Sequence, residues 1–391
     1  MARTTGTKER SAATRARYDR GSADAGAVAG RERAQETAPQ RPKIRTVGGG
    51  SVEVAFDVRP VYDFMISLSD DAGSTDDLPE PDRTWLSNAR AALPGLARRD
   101  REDFLANEAF LGAVVVAVEH PEVRTPADLI GVLKSMAPNA LARLLMVDTA
   151  HTPEITPLID AALAGEHSVL PQIEAALKAK LMPEQCSLRV DLLRQPEEYH
   201  RRLVGVLEAW QGPFAEVEGR VSAMIGRDAD ARAADVRTLD QIDLIERTTG
   251  GIRWIPEAAV GRVILAPSYF ARPYNYVFSG EGWRLFVYPI ADAALDGTDP
   301  LAPPQALVRL HRALGDETRL RILKLLSDRD LYLTELAQEL QLSKPTVKHH
   351  LALLRAAGLL TMTEEGPVIY YSLRRDRLEE ATTDIGRFLT A

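Results

Sequence analysis

Leu342-Ser343-Lys344-Pro345-Thr346-Val347-Lys348-His349-His350-Leu351 joins a helix start to two chemically unlike flanks. Ser343 has the side chain of an N-cap, and Gly358 stands where a glycine closes a helix. The spacing predicts a helix from Lys344 to about Ala357. Val347, Leu351 and Leu354 recur at i, i+4 and i+7, a core-facing stripe. Lys344, Thr346, Lys348 and His349 fall at the N-terminal end and on the opposite side.

Upstream, Ala306, Leu307, Leu310 and Leu314 mark a short amphipathic helix that Gly315 ends. Asp316 caps a second, expected to bury Leu320, Ile322, Leu323, Leu325 and Leu326. Leu333, Leu336, Ala337 and Leu340 give a third, and Gln341-Leu342-Ser343 is a tight turn. Gln341 sits where a glycine would be comfortable; a left-handed glutamine there is strained by roughly 1 kcal/mol. Downstream, Leu359–Glu364 and Val368–Leu373 read as strands around Glu365-Gly366-Pro367. A last helix, about Asp376–Leu389, carries Leu378, Ala381, Ile385, Phe388 and Leu389 on one side. Short helices, a turn of about three residues, a longer helix and a hairpin make the winged helix-turn-helix plan. Lys and His at the start of the long helix suit guanine O6/N7 or phosphate, and Thr suits either. Ser343 at the helix N-terminus, with Arg374, Arg375 and Arg377 after the wing, suits the phosphate backbone.

Ala313-Leu314-Gly315-Asp316-Glu317-Thr318-Arg319-Leu320-Arg321-Ile322-Leu323, Leu336-Ala337, the stretch Leu342–Leu351 and Val368-Ile369-Tyr370-Tyr371 together resemble the ArsR family of transcription regulators. The resemblance covers about residues 303–391. It implies a homodimer built through the first and last helices, with two recognition helices reading a palindromic double-stranded operator. It implies repression more than activation, and release of DNA by an effector. The pattern departs from the metal-sensing members. Tyr332 and Thr334 occupy the positions of their paired cysteines, and Asp376–Ala391 holds no His. Soft and borderline metals need Cys or His, so no Cys/His metal sensor and no cofactor are expected. The wing tip, Glu364-Glu365-Gly366-Pro367, has no basic residue for a minor groove.

The 391 residues exceed one ordinary core, and the single cysteine, Cys186, excludes an intramolecular disulfide and points to a reducing cytoplasm. No apolar run suits a membrane span, and the N-terminus has no secretory apolar region. The net charge of −8 is uneven: residues 1–45 carry +6, 46–303 carry −15 and 304–391 carry +1. An acidic middle repels a phosphate backbone, so nucleic-acid contact belongs to the ends. Residues 1–47 are poor in bulky apolar residues and read as a disordered basic tail. Residues 48–298 read as a sensor or dimer-stabilising domain, 299–304 as a linker and 305–391 as the winged helix.

The fold class expected is α+β, a mostly helical N-terminal domain with a small antiparallel sheet, followed by the winged helix. Ser51–Asp57, Ala259–Leu265, Tyr274–Phe278 and Trp283–Tyr288 read as strands. Thr125-Pro126-Ala127-Asp128 is a strong helix start, and Pro196 to about Val221 a long helix. Arg253, Trp254, Tyr269, Arg272, Tyr274 and Asn275 are a candidate ligand pocket for an unknown small-molecule effector, or else the aromatic core of a sheet. The domain also resembles the long N-terminal region of a subgroup of ArsR-type regulators. Two alternatives stay open: an autoregulated enzyme with a catalytic N-terminal domain, and a winged helix that docks proteins instead of DNA. No HExxH, paired CxxC or phosphate loop supports an enzyme, and no catalytic residue is assigned.

Overall fold

The computed structural model describes residues 52–106, 112–146, 155–178, 183–296, 301, 303–365 and 368–390. The basic tail, half of the linker and the wing's Gly366-Pro367 lie outside the described residues. The chain is α+β, with a helical N-terminal part, two small sheets and a C-terminal winged helix-turn-helix.

The N-terminal part opens on strand β1 (Glu53–Phe56), then α1 (Val61–Ile66), α2 (Glu80–Ala91), α3 (Gly95–Ala106), α4 (Val114–Glu119), α5 (Pro126–Ser135) and α6 (Pro138–Leu145). It continues through α7 (Thr156–Leu163), α8 (Leu170–Lys178), α9 (Pro183–Arg194), α10 (Pro196–Ala231), α11 (Ala233–Thr238) and α12 (Gln241–Thr249). The start of α5 forms a capping box: Asp128 N–H donates to Thr125 Oγ1 at 3.2 Å, and Thr125 N–H donates back to Asp128 Oδ2 at 2.9 Å. The long helix runs ten residues beyond the expected end, through an internal Pro213, and is about 54 Å long at the α-helical rise. Its inner face, with Leu203, Leu207, Trp210, Phe214, Val221 and Ile225, is buried in the main core.

Strands β2 (Ile252–Arg253), β3 (Arg262–Ser268), β4 (Tyr276–Gly280) and β5 (Trp283–Pro289) follow. The first sheet has the order β1-β3-β5-β4 and is mixed, which corrects the antiparallel expectation. β1 runs parallel to β3 and β3 parallel to β5; only β4 is antiparallel to its neighbour. The physical reason is double coverage. The helical core packs on one face, while Leu244 and Ile245 of α12 help cover the other. Val263-Ile264-Leu265-Ala266 is accordingly buried without alternation, the signature of a parallel strand between two layers.

The C-terminal part comprises α13 (Gln305–Leu314), α14 (Glu317–Asp328), β6 (Leu331–Tyr332), α15 (Leu333–Leu340), α16 (Lys344–Ala356), β7 (Leu360–Glu365), β8 (Val368–Leu373) and α17 (Arg375–Thr390). Its own core gathers Leu310, Ile322, Leu326, Leu336, Leu340, Val347, Leu351, Leu354 and Tyr371. Leu320, expected inside, is 50% exposed because the stripe of α14 runs through Ile322, Leu323 and Leu326. The second sheet, of order β2-β7-β8-β6, includes a strand of the N-terminal part.

Candidate nucleic-acid interface

Local chemistry sets the recognition helix. Ser343 Oγ accepts from Thr346 N–H at 3.3 Å and lies 2.7 Å from Thr346 Oγ1, closing the first turn of α16. The preceding turn is made by Gln341, left-handed at φ 55° and ψ 40°. It is the one non-glycine with positive φ among the described residues. Gly358 ends the helix with φ +73°. Asp316 caps α14, accepting from Arg319 N–H at 2.9 Å, and this bond holds its carboxyl below the usual range.

The two flanks of α16 separate as their residue types require. Val347, Leu351 and Leu354 are buried, while Ser343, Lys344, Thr346 and His349 are exposed and Lys348 is half-buried. None of the exposed set lies beneath the acidic N-terminal part. The two neighbouring histidines diverge. His349 faces outward, whereas His350 is tucked in, its Nδ1 3.7 Å from Asp316 Oδ1. The helix therefore offers a polar, cationic edge at its positive dipole end, backed by a rigid apolar one.

The arginines after the wing are less available. Arg374 donates to the Gly358 carbonyl at 3.4 Å and to Asp376 at 3.2 Å, tying the end of α16 to the start of α17. Arg375 is exposed and donates to the Ser327 carbonyl. Arg377 pairs with Glu380 at 3.1 Å and Asp384 at 2.7 Å.

Five of the six candidate pocket residues are engaged by separate internal partners. Tyr269 is buried and donates to Asp82; Arg272 is buried against the carbonyls of Asp77 and Ile290 and pairs with Asp292. Trp254 packs in the smaller cluster beside α12 and donates to Glu257 at 3.3 Å. Arg253 reaches Glu246 at 3.4 Å, Asn275 donates to the Thr249 carbonyl at 2.9 Å, and Tyr274 is part-exposed. Among the described residues, no group of three or more His, Cys, Asp and Glu is gathered to hold a metal. No helix there is long and apolar enough to cross a membrane.

Contacts between the two parts were not visible in the sequence. β2 pairs in parallel with the wing strand β7, setting Ile252 opposite Met362 and Arg253 opposite Thr363. Met362 N–H donates to the Gly251 carbonyl at 3.0 Å, and Thr361 Oγ1 donates to Glu246 at 3.0 Å. At the other end, α13 meets the acidic loop before α2. Arg309 pairs with Asp77, and Arg312 reaches Asp76 at 3.0 Å. Ala306 N–H donates to Asp292 Oδ2 at 2.7 Å. The signal missed was complementarity: an acidic stretch over residues 70–82 and a helix bearing Arg309 and Arg312 in a C-terminal segment with almost no net charge.

Comparison with known proteins agrees with this geometry. The family model for bacterial regulatory proteins of the arsR family matches residues 316–361. The HTH-type transcriptional regulator KmtR of Mycobacterium tuberculosis is 36% identical over 90 residues, 22% of this chain and 69% of that protein. CmtR of Mycobacterium bovis, also an HTH-type transcriptional regulator, is 41% identical over 86 residues, 22% of this chain and 73% of its own. The transcriptional repressor SdpR of Bacillus subtilis is 36% identical over 72 residues, 18% and 80% of the two chains. These matches fall on the helix-turn-helix of a DNA-binding transcription regulator, and the chain belongs to the ArsR family.

Proposed function

We propose that this protein is a cytoplasmic, homodimeric, sequence-specific repressor whose N-terminal domain adjusts DNA binding in response to a small molecule. One observation carries the reading: Lys344, Thr346 and His349 stand exposed at the start of α16 while Val347, Leu351 and Leu354 anchor the same helix. Lys348 and His349 read base edges, Lys344 and Ser343 orient on phosphate, and Arg375 adds a backbone contact. Arg374 acts mainly through its bond to Gly358, positioning the recognition helix. Pairing of α13 and α17 with a second copy is supported by the apolar flank of α17, where Ile385 and Phe388 are half-buried and Leu389 is 74% exposed. The name of SdpR supports repression. The ties from Asp76, Asp77 and β2 to the winged helix support coupling, because they reach both its first helix and its wing.

The test is a gel shift with the palindromic duplex selected by the full chain from a random pool. Replacing Lys348 and His349 together by Ala should abolish specific binding while leaving the fold intact. Undiminished affinity of that double variant refutes the assignment, and absence of any salt-dependent duplex binding by the parent chain favours a protein-docking role.

A further inference from the structure

Helix α2, the turn Ala92-Leu93-Pro94 and the middle of α10 surround an open cavity of about 320 Å³. None of Arg253, Trp254, Tyr269, Arg272, Tyr274 and Asn275 lines it. Its volume falls within the range of small-molecule sites, at the lower end. Trp85, Leu93 and Pro213 form apolar wall, and Asn88 and Glu216 supply polar groups. The indole of Trp85 is held on its far side by Phe270, stacked at 6.0 Å and 24°, and by Trp210 at 5.9 Å. A flat aromatic wall with fixed backing is pre-organised for a ligand.

The polar groups are mostly acceptors. Glu216 Oε2 accepts from Trp85 Nε1–H at 3.2 Å, and no cationic side chain among the described residues pairs with this carboxylate. Pro213 has no N–H, so it leaves the carbonyl of Ala209, four residues earlier, without its helical donor. Ala209 and Pro213 both line the cavity. The surrounding segment, residues 46–303, carries −15. An aromatic face, a carboxylate and a carbonyl acceptor in an acidic domain complement a hydrophobic group bearing a cationic N–H donor.

We propose that this cavity binds an arylalkyl ammonium compound, with its aryl group on Trp85 and its ammonium between Glu216 and the Ala209 carbonyl. The proposal deepens the reading of a ligand-responsive regulator and rests on it for its consequence. Arg83, two residues before Trp85 on α2, holds Asp76 at 2.7 Å, and Asp76 accepts from Arg312 of α13 at 3.0 Å. A ligand seated on Trp85 thus acts on the same helix, α2, whose Arg83 enters the pairing that ties the first helix of the DNA-binding part to the N-terminal part.

The test titrates the full chain, without DNA, with 4-phenylbutylamine, 4-phenylbutanol and 4-phenylbutyrate, read by calorimetry and tryptophan emission. These probes share one hydrophobic body and differ in the charge of the head. The amine should bind saturably, about tenfold or more tighter than the alcohol, and the carboxylate not at all. Glu216→Gln, at an exposed position, should bring the amine down to the affinity of the alcohol. Ala92→Trp, which fills the cavity from its rim, should remove both. Folding of each variant is confirmed by its far-UV spectrum and melt. Equal affinities for the three probes, no saturable amine binding, or full amine affinity in Glu216→Gln would overturn the proposal. Duplex binding by the ligand-free chain is measured separately: its loss would count against the regulator reading and leave a demonstrated amine site standing.

Discussion

Gly251 lies so close to Leu360 that a Cβ placed on it would stand 2.6 Å from the Leu360 carbonyl oxygen. Its φ of +128° is also a conformation that side-chain-bearing residues rarely adopt. The backbone of the N-terminal part can therefore enter the wing's sheet only because this position has no side chain. Gly251→Ala should weaken the β2–β7 pairing and lower stability by about 1–3 kcal/mol. Hydrogen exchange at Met362 N–H, which donates to the Gly251 carbonyl, is the site-specific readout. Unchanged protection there would show that the pairing tolerates a methyl group.

Gln341 presents the opposite situation, a side chain where glycine belongs. Its left-handed backbone should make Gln341→Gly stabilising by about 0.5–1 kcal/mol, relief of strain being partly offset by the greater freedom of glycine in the unfolded chain. Chemical denaturation of both proteins settles the sign. Destabilisation by glycine would mean that the side chain contributes a contact outweighing the strain.

Asp63 is fully buried in the main core. Its Oδ1 accepts from Ser268 Oγ at 2.7 Å and Phe270 N–H at 2.8 Å, while Oδ2 has no partner. Burial is the dominant cause raising its pKa, to about 7. The folded state then keeps a proton that the unfolded chain has already released, so stability falls as pH rises from about 4 to about 7 and levels off above. Asp63→Asn keeps the oxygen acceptor and removes the ionisation. It should abolish this part of the pH dependence, on the order of 2–4 kcal/mol across the window. Parallel stability–pH curves for the two proteins would contradict the assignment.

Lys344, exposed in the first turn of α16, is assigned to phosphate and not to a base. Lys344→Ala should weaken binding to specific and non-specific duplexes alike and reduce the slope of log K against log salt by about 1. A loss confined to one base position of the operator would reassign it to base reading.

How legible the molecule was in its sequence follows from distance along the chain. Asp316, Ser343 and Gly358 act within a few residues, and each does in the structure what its spacing implied. Val347, Leu351 and Leu354 set their own helix face. The pairing of β1 with β3 joins residues about two hundred positions apart, and β2 is two residues long; neither leaves a periodic trace. Tyr269 and Arg272 were conspicuous because they are aromatic and charged, yet their partners Asp82, Asp77 and Asp292 come from distant segments that no local pattern connects to them. Leu320 lies outside the core although it is a leucine of α14, because only one stripe of a helix can face inward.

The strand borrowed by the wing also bears on how this protein can be divided. A fragment starting near residue 303 would retain all the helices of the reader but present β7 with a bare row of amide and carbonyl groups. Such an edge invites pairing with whatever strand is nearest, including another copy of itself. Stickiness of the excised reader would then reflect an amputated sheet, and studies of operator affinity should keep the chain whole.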